Sequence, residues 1–237
     1  MQSNAIKILS TRPLDTSIID EAKVNNIEIN CISFIETVET IDEETKLFIQ
    51  NLAQENTAVV FTSMNAADAI INTLSNSLIV PKWRIYCMGG TTRKNITTYF
   101  GANAIVAVGN NAFDLAEQIV NHEEASVAFF CGNIRRNELP LTLKQNNISF
   151  IEKVVYKTIV TPQKINETID AILFFSPSAV ESFFSINKVH FSTVLFAVGS
   201  TTANTIAQYS TNTIVVSDKP EKDYLVQKAI AFFKNKQ

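Results

Sequence analysis

The chain has 237 residues, of which 46% are hydrophobic and 18% charged, a composition that suits a folded globular protein and excludes a disordered one. Its formal net charge of −3 supplies no basic field for duplex nucleic acid, so an anionic ligand would have to be held by local groups. Cys31, Cys87 and Cys131 are odd in number and show no CxxC spacing, and the only histidines, His122 and His190, have no partner at ligand spacing. A disulfide framework and a metal site are therefore not expected, and the thiols read as reduced core residues.

Met1-Gln2-Ser3-Asn4-Ala5-Ile6-Lys7 leads into a strand without an apolar leader, and no apolar run reaches membrane-spanning length. The reading is a cytoplasmic, soluble protein. Ile6 to Ser10 reads as a strand ended by Thr11-Arg12-Pro13, and Asp15 to Lys23 has helical spacing with Ile18, Ile19 and Ala22 on one face. Ile27 to Phe34 reads as a second strand, and the polar, acidic stretch Glu36 to Asp42 as a linker. Glu43 to Leu52 predicts a helix with Leu47, Phe48 and Leu52 as its inner stripe.

Thr57 to Phe61 is continuously apolar, as expected of a parallel strand covered on both faces. From there strands and helices alternate: helix from Asn65 to Leu74, strand from Trp83 to Met88, helix from Thr91 to Phe100, strand from Ala104 to Val108. Asn110-Asn111 are candidate caps for a helix over Phe113 to Val120. A strand from Ala125 to Cys131, a helix from Arg136 to Gln145 and a strand from Ser149 to Tyr156 follow. The last third adds strands at Ile169–Phe175, Thr193–Val198 and Thr213–Val216, and helices at Ser178–Phe184, Thr202–Tyr209 and Glu221–Phe233. Alternation throughout means parallel sheets with helices on both faces.

One two-part loop occurs twice. Phe61-Thr62-Ser63-Met64-Asn65-Ala66-Ala67 and Cys87-Met88-Gly89-Gly90-Thr91-Thr92 are echoed by Phe174-Phe175-Ser176-Pro177-Ser178-Ala179-Val180 and Ala197-Val198-Gly199-Ser200-Thr201-Thr202-Ala203. The echo points to two similar α/β domains facing a shared cleft. The final third supplies only three strands, and the two N-terminal strands would complete its sheet. The expected organisation is thus a discontinuous domain of residues 1–35 plus 159–237, with 36–158 inserted and a crossing near each junction.

Ligands of open α/β sheets bind beyond the carboxyl ends of the strands. Ser63, Thr91, Thr92, Ser176, Ser178, Thr201 and Thr202 fall there, at helix starts where free N–H groups and the helix dipole attract anions. Each residue alone reads as a helix cap; their recurrence at four matching loops reads as shared anion binding. Gly132-Asn133-Ile134-Arg135-Arg136-Asn137-Glu138-Leu139-Pro140 places Arg135 and Arg136 at a helix start on the same side. Two readings stand for them: bidentate carboxylate binding, or a solvated charge run in which Glu138 partners an arginine. Arg12 occupies a comparable place after the first strand. Tyr156 reads as a half-buried strand residue whose hydroxyl, if it faces a ligand, could donate a proton to a leaving group. There is no P-loop, no GxGxxG after the first strand, no GxSxG elbow and no Ser-His-Asp set.

With these residues on view, the chain resembles the uroporphyrinogen-III synthase family over nearly its whole length. The resemblance is carried by Thr11-Arg12-Pro13, Phe61-Thr62-Ser63-Met64-Asn65-Ala66, Met88-Gly89-Gly90-Thr91-Thr92, the Cys131 to Pro140 stretch, Val155-Tyr156-Lys157-Thr158, Phe175-Ser176-Pro177-Ser178-Ala179-Val180 and Val198-Gly199-Ser200-Thr201-Thr202-Ala203. It implies two α/β domains joined by a two-stranded linker. The implied reaction is closure of linear hydroxymethylbilane to uroporphyrinogen III, with loss of water and inversion of ring D through a spiro intermediate. No cofactor or metal is implied, and the partner is a small-molecule substrate bearing eight carboxylates. Independently of the resemblance, nothing in the sequence demands more than a monomer, and neither nucleic acid nor a membrane is an expected partner. The family's tyrosine falls on Tyr156, implying assistance to the departing hydroxyl, and its loop residues fall on Thr62, Ser63, Ser176, Thr201 and Thr202. Met64 and Ser200 stand where such loops often carry proline. The alternatives weighed beside it are a non-catalytic two-lobed protein binding a small anion, and a sugar-phosphate isomerase. The first lacks an export signal, and the second lacks a placed histidine or glutamate base.

Overall fold

The computed structural model describes residues 5–234 apart from 76 and 78; the leader reading of residues 1–4 lies outside the described residues. The first elements are β1 (Ile6–Ser10), α1 (Thr16–Val24), β2 (Ile27–Cys31), β3 (Ile35–Glu39) and α2 (Glu43–Leu52). Then come β4 (Ala58–Phe61), α3 (Met64–Ser75), β5 (Arg84–Met88), α4 (Thr91–Phe100), a 3-10 turn (Ala102–Ala104), β6 (Ile105–Gly109) and α5 (Ala112–Asn121). The chain continues through β7 (Ser126–Gly132), α6 (Glu138–Gln145), β8 (Ser149–Val160), β9 (Ala171–Phe174) and α7 (Pro177–Phe184). It ends with β10 (Val194–Ala197), α8 (Ser200–Tyr209), β11 (Ile214–Val216) and α9 (Lys222–Lys234).

Two compact units result, one of Met1–Glu36 with Ile159–Gln237 and one of Thr37–Thr158. The first holds a five-stranded sheet in the order β11-β10-β9-β1-β2, parallel at every described pair. Alternate residues feed two cores. Ile8, Ala171, Leu173 and Phe196 pack with α1 and α9, whereas Leu9, Ile172, Phe174 and Leu195 pack with α7 and α8.

The second sheet runs β3-β8-β7-β4-β5-β6, with β8, β7, β4, β5 and β6 pairing in parallel. Val59, Phe61, Ala128 and Phe130 face α2, α3 and α4; Ala58, Val60, Val127 and Phe129 face α5 and α6. Burial on both faces is why β4 reads as an unbroken apolar run. The helices start where the sequence supplies acceptors for their free N–H groups. Asp42 accepts from Thr45 N–H at 2.8 Å, Asn111 from Asp114 N–H at 2.9 Å and Ser176 from Ala179 N–H at 3.2 Å.

Three local expectations are corrected. Glu36 to Asp42 does hold a boundary between the units, at Glu36/Thr37, but most of it is the exposed strand β3, which becomes a strand through its sheet neighbour β8 and so does not show in an acidic sequence. In α2 the inner stripe is Phe48, Ile49 and Leu52, while Leu47 is exposed. Leu47 and Leu52 are five residues apart, about 140° around the helix at 3.6 residues per turn, so they cannot share a face. Helix α6 begins at Glu138, which leaves Arg135 and Arg136 in the preceding loop rather than at its start.

Candidate active site

Both sheets have a point where the chain's direction of travel across the sheet reverses, and such switch points open a crevice beyond the strand ends. In the second unit the reversal lies between β4 and β7, which pair from Ala58↔Val127 to Phe61↔Phe130. The loops leaving those strands supply Thr62-Ser63 and Ile134-Arg135-Arg136. Together with Tyr156 of β8 and Asn110-Asn111 after β6, they wall a cavity of about 350 Å³. Met88, Phe129 and Leu139 supply apolar lining. The structure thus brings Thr62, Ser63, Arg135, Arg136 and Tyr156 to one place, all within one unit. Ser63 Oγ accepts from Ala66 N–H at 3.2 Å, so it caps α3 while lining the cavity.

Tyr156 is 7% exposed, and no described residue shares a hydrogen bond with its hydroxyl. Its ring lies against Gly132: a Cβ built there would meet the phenol carbon Cζ at 2.4 Å and the hydroxyl at 2.7 Å. The ladder between β7 and β8 slips at this point. Cys131 pairs with Val154 but Gly132 pairs with Tyr156, so Val155 is the extra residue of a bulge.

The two arginines differ. Arg135 donates to Glu152 at 2.6 Å and to Asn137, and the Glu152 carboxylate holds its guanidinium firmly charged. Arg136 is more than half exposed, with Glu138 at 4.0 Å. Glu138 gains from the first turn of α6, where negative charge is favoured. So Glu138 and Arg136 form a loose pair, while the firm partner of Arg135 is one the linear sequence did not suggest.

In the first unit the reversal lies between β1 and β9. Thr11 is buried there, and both its N–H and its hydroxyl donate to the Leu173 carbonyl, at 3.1 and 2.8 Å. Arg12 lies over the Phe175 ring, 5.6 Å from its centre. Ser176 caps α7, Ser178 is half-buried and Thr201 is exposed.

The matching threonine pairs behave alike: Thr91 and Thr201 are exposed, whereas Thr92 and Thr202 are 6% and 3% exposed. Thr92 and Thr202 therefore belong to the packing of the first turns of α4 and α8, not to the exposed loop surface. Gly90 is the cap of α4 with φ +67°, a left-handed backbone that its glycine makes easy. Asn110 and Asn111 were read only as caps. Their place after a strand end is the same signal that singled out the hydroxyl residues.

Burial pushes the Cys87 thiol up to about 11 and the Cys131 thiol up to about 12, so neither is a thiolate near neutrality. Among the described residues no group of three or more His, Cys, Asp or Glu could hold a metal ion, and no helix is long and apolar enough to cross a membrane.

Fold and site together define a two-unit α/β protein of parallel sheets, with a cavity at the strand ends of its second unit lined by hydroxyl, arginine and tyrosine side chains. Residues 18–227 match the family described as uroporphyrinogen-III synthase HemD, and the chain belongs to that family. It is an enzyme of tetrapyrrole biosynthesis that cyclises hydroxymethylbilane to uroporphyrinogen III, with loss of water and inversion of ring D. The uroporphyrinogen-III synthetase of Helicobacter pylori shares its fold with 17% identity, over 96% of this chain and 99% of that one, at a TM-score of 0.69. A mutant uroporphyrinogen III synthase of Thermus thermophilus does so with 14% identity, over 98% and 100% of the two chains, at a TM-score of 0.68. No curated protein matches the chain by sequence.

Proposed function

We propose that the cavity at the β4–β7 switch point holds the reacting end of the bilane, with Tyr156 as the acid that assists loss of water. The observation that supports this is the Tyr156 hydroxyl, unpartnered among the described residues, on a cavity whose rim carries Thr62, Ser63 and Arg136. These groups, with the free N–H groups starting α3 and α5, bind carboxylates of the substrate. Arg12, Thr91, Ser176, Ser178 and Thr201 take others of the eight. Arg135, committed to Glu152, shapes the loop.

As the C–O bond of the hydroxymethyl group breaks, Tyr156 gives its proton to the departing oxygen, which leaves as water. The resulting pyrrole-stabilised cation is attacked by the inner, substituted carbon of ring D, forming the spiro intermediate. Breaking and remaking the bond to ring D inverts that ring, and the proton released on rearomatisation returns to the phenolate. Holding the reacting ends together contributes about 7–11 kcal/mol in favourable cases. Acid assistance adds about 10²–10⁴-fold.

The protein is further read as a cytoplasmic monomer without a nucleic-acid or membrane partner, in keeping with its net charge of −3. The test is the product isomer ratio when purified protein meets freshly generated hydroxymethylbilane, since unassisted closure gives uroporphyrinogen I. Predominant isomer III from the native chain, formed at least about 10²-fold more slowly by Tyr156→Phe, is the expected result. Unchanged turnover by Tyr156→Phe would remove the role assigned to the phenol.

A further inference from the structure

Strand β8 breaks its own alternation where it carries the phenol. Side chains of a strand point to opposite faces in turn, yet Val155 and Tyr156, consecutive residues, are buried in the same apolar cluster. The cause is the bulge. Two residues of β8 stand against the single Gly132 of β7, and bulges commonly re-aim a side chain beside an active site.

Two features of the neighbouring strand hold this geometry. At Gly132 the phenol ring occupies the space of a side chain, with Cζ, Cε2 and the hydroxyl 2.4, 2.6 and 2.7 Å from an ideal Cβ. Carbon atoms in contact sit about 3.5–4.0 Å apart, so any residue but glycine would drive the hydroxyl about 1 Å away. One position on, Asn133 holds the backbone that leaves the tyrosine, on either side of Lys157. Its N–H donates to the Tyr156 carbonyl at 3.1 Å, and its Oδ1 accepts from Thr158 N–H at 2.8 Å. Asn133 is itself exposed, so its side chain adds little to the core. Its defined task is to fix the backbone on either side of Lys157.

We propose that Gly132 and Asn133 are positioning residues for the Tyr156 hydroxyl: the glycine leaves the space the phenol lies in, and the asparagine locks the bulged backbone that aims it. The proposal rests on Tyr156 acting as the acid. It assigns a part to two residues that the sequence offered only as lead-in to the arginines.

A double-mutant cycle in kcat, measured with hydroxymethylbilane on variants whose circular dichroism matches the native chain, tests it. Asn133→Ala is expected to lower kcat about 10-fold, and Gly132→Ala about 10²-fold, the scale of a 1 Å misplacement, with smaller changes in KM. In a Tyr156→Phe background neither substitution should lower kcat further, because no hydroxyl is left to aim. Asn133→Asp, which keeps the Oδ acceptor for Thr158 N–H, should recover most of kcat. Losses that multiply in the double variants would overturn the proposal, as would native kcat in both single variants. Should Gly132→Ala fail to fold, the Asn133 variants decide alone. If Tyr156→Phe itself turns over at the native rate, the acid assignment has failed and the positioning role falls with it. If Tyr156→Phe is slow while neither Gly132→Ala nor Asn133→Ala is, only the positioning role is lost.

Discussion

The two units carry the same strand-end motif and use it differently. Aligning Phe61-Thr62-Ser63 with Phe174-Phe175-Ser176 puts Thr62 of the second unit opposite Phe175 of the first. At the second unit's switch point the small threonine borders a cavity of about 350 Å³. In the first unit the phenylalanine ring stands there and the Arg12 guanidinium covers it. The serine that follows caps its helix in both cases, accepting from Ala66 and Ala179 N–H at 3.2 Å. The shared scaffold thus carries a threonine on a cavity in one unit and an aromatic platform for an arginine in the other, and a common fold does not fix a common role for the two loops.

The sharpest way to break that comparison is Thr62→Phe, which gives the second unit the residue of the first. A phenyl ring in the cavity wall displaces part of the bilane, so kcat/KM should fall about 10²-fold or more, the cost of misplacing reacting groups by 1 Å. Thr62 is half-buried at the cavity, so thermal stability should change little. Native kcat/KM in a folded variant would mean that the bilane reacts elsewhere.

The opposite edge of the sheets extends the contrast. At the strand starts of the second unit, Arg84 donates to Glu124 at 2.6 and 2.9 Å, and the buried Tyr86 hydroxyl donates to Glu124 at 2.9 Å. The first unit ties its strand-start edge with Asn212, which donates to the His190 and Thr193 carbonyls at 2.7 and 2.8 Å, and with the Asp170 carboxylate, which accepts from Lys7 N–H at 2.8 Å. The Arg84 hydrogen bond, with help from Tyr86, holds the Glu124 carboxyl below its ordinary value. A carboxyl depressed in the folded state contributes stability that is present above its unfolded value, near 4.5, and lost as the pH falls through the folded one. The second unit should therefore lose amide-exchange protection below about pH 4.5. Glu124→Gln should cost about 1–2 kcal/mol at pH 7, since Arg84 is partly exposed, and flatten the acid limb. An unaltered acid limb in Glu124→Gln would show that another group controls it.

Much of the architecture was legible because both sheets are parallel and covered. Val59, Val60 and Phe61, buried on alternate faces, could only read as an apolar run. What escaped the sequence is what depends on pairing. β3 is acidic and exposed, and becomes a strand through its neighbour β8. Glu152 lies far along the chain from Arg135, and only the adjacency of β7 and β8 brings it to 2.6 Å. The hydroxyl loops were visible by residue type, but which threonine of each pair turns inward is a matter of helix phase: α4 and α8 both bury the second. Nor could periodicity foresee that a bulge would put Tyr156 and Val155 in one cluster.

The arginines sharpen the comparison further. Arg136→Ala removes an exposed guanidinium at the open crevice, and loss of a charged hydrogen bond worth about 1.5 kcal/mol predicts a KM about 10-fold higher, with kcat less affected. An unchanged KM would return Arg136 to the solvated surface. Arg135→Ala should act differently. It leaves Glu152 without its partner at 2.6 Å and should lower thermal stability as well as activity.

Arg12 offers the smallest and most discriminating effect. Its guanidinium carbon lies over the Phe175 ring, 5.6 Å from the centre, a cation–π contact that at an exposed site is worth about 0.5–1 kcal/mol. Arg12 is exposed, so a carboxylate would meet it in water, where an ion pair contributes about 0.2–1 kcal/mol. Arg12→Ala should then raise the KM for the bilane about two- to five-fold and leave kcat alone. Phe175→Leu, which keeps apolar bulk but removes the platform, should reproduce part of that rise, because it acts only through the orientation of Arg12. If Arg12→Ala instead matches Arg136→Ala in KM, the two switch points bind substrate equally despite the ring in one of them. The difference between Thr62 and Phe175 would then govern where the chemistry occurs, not where the carboxylates are held.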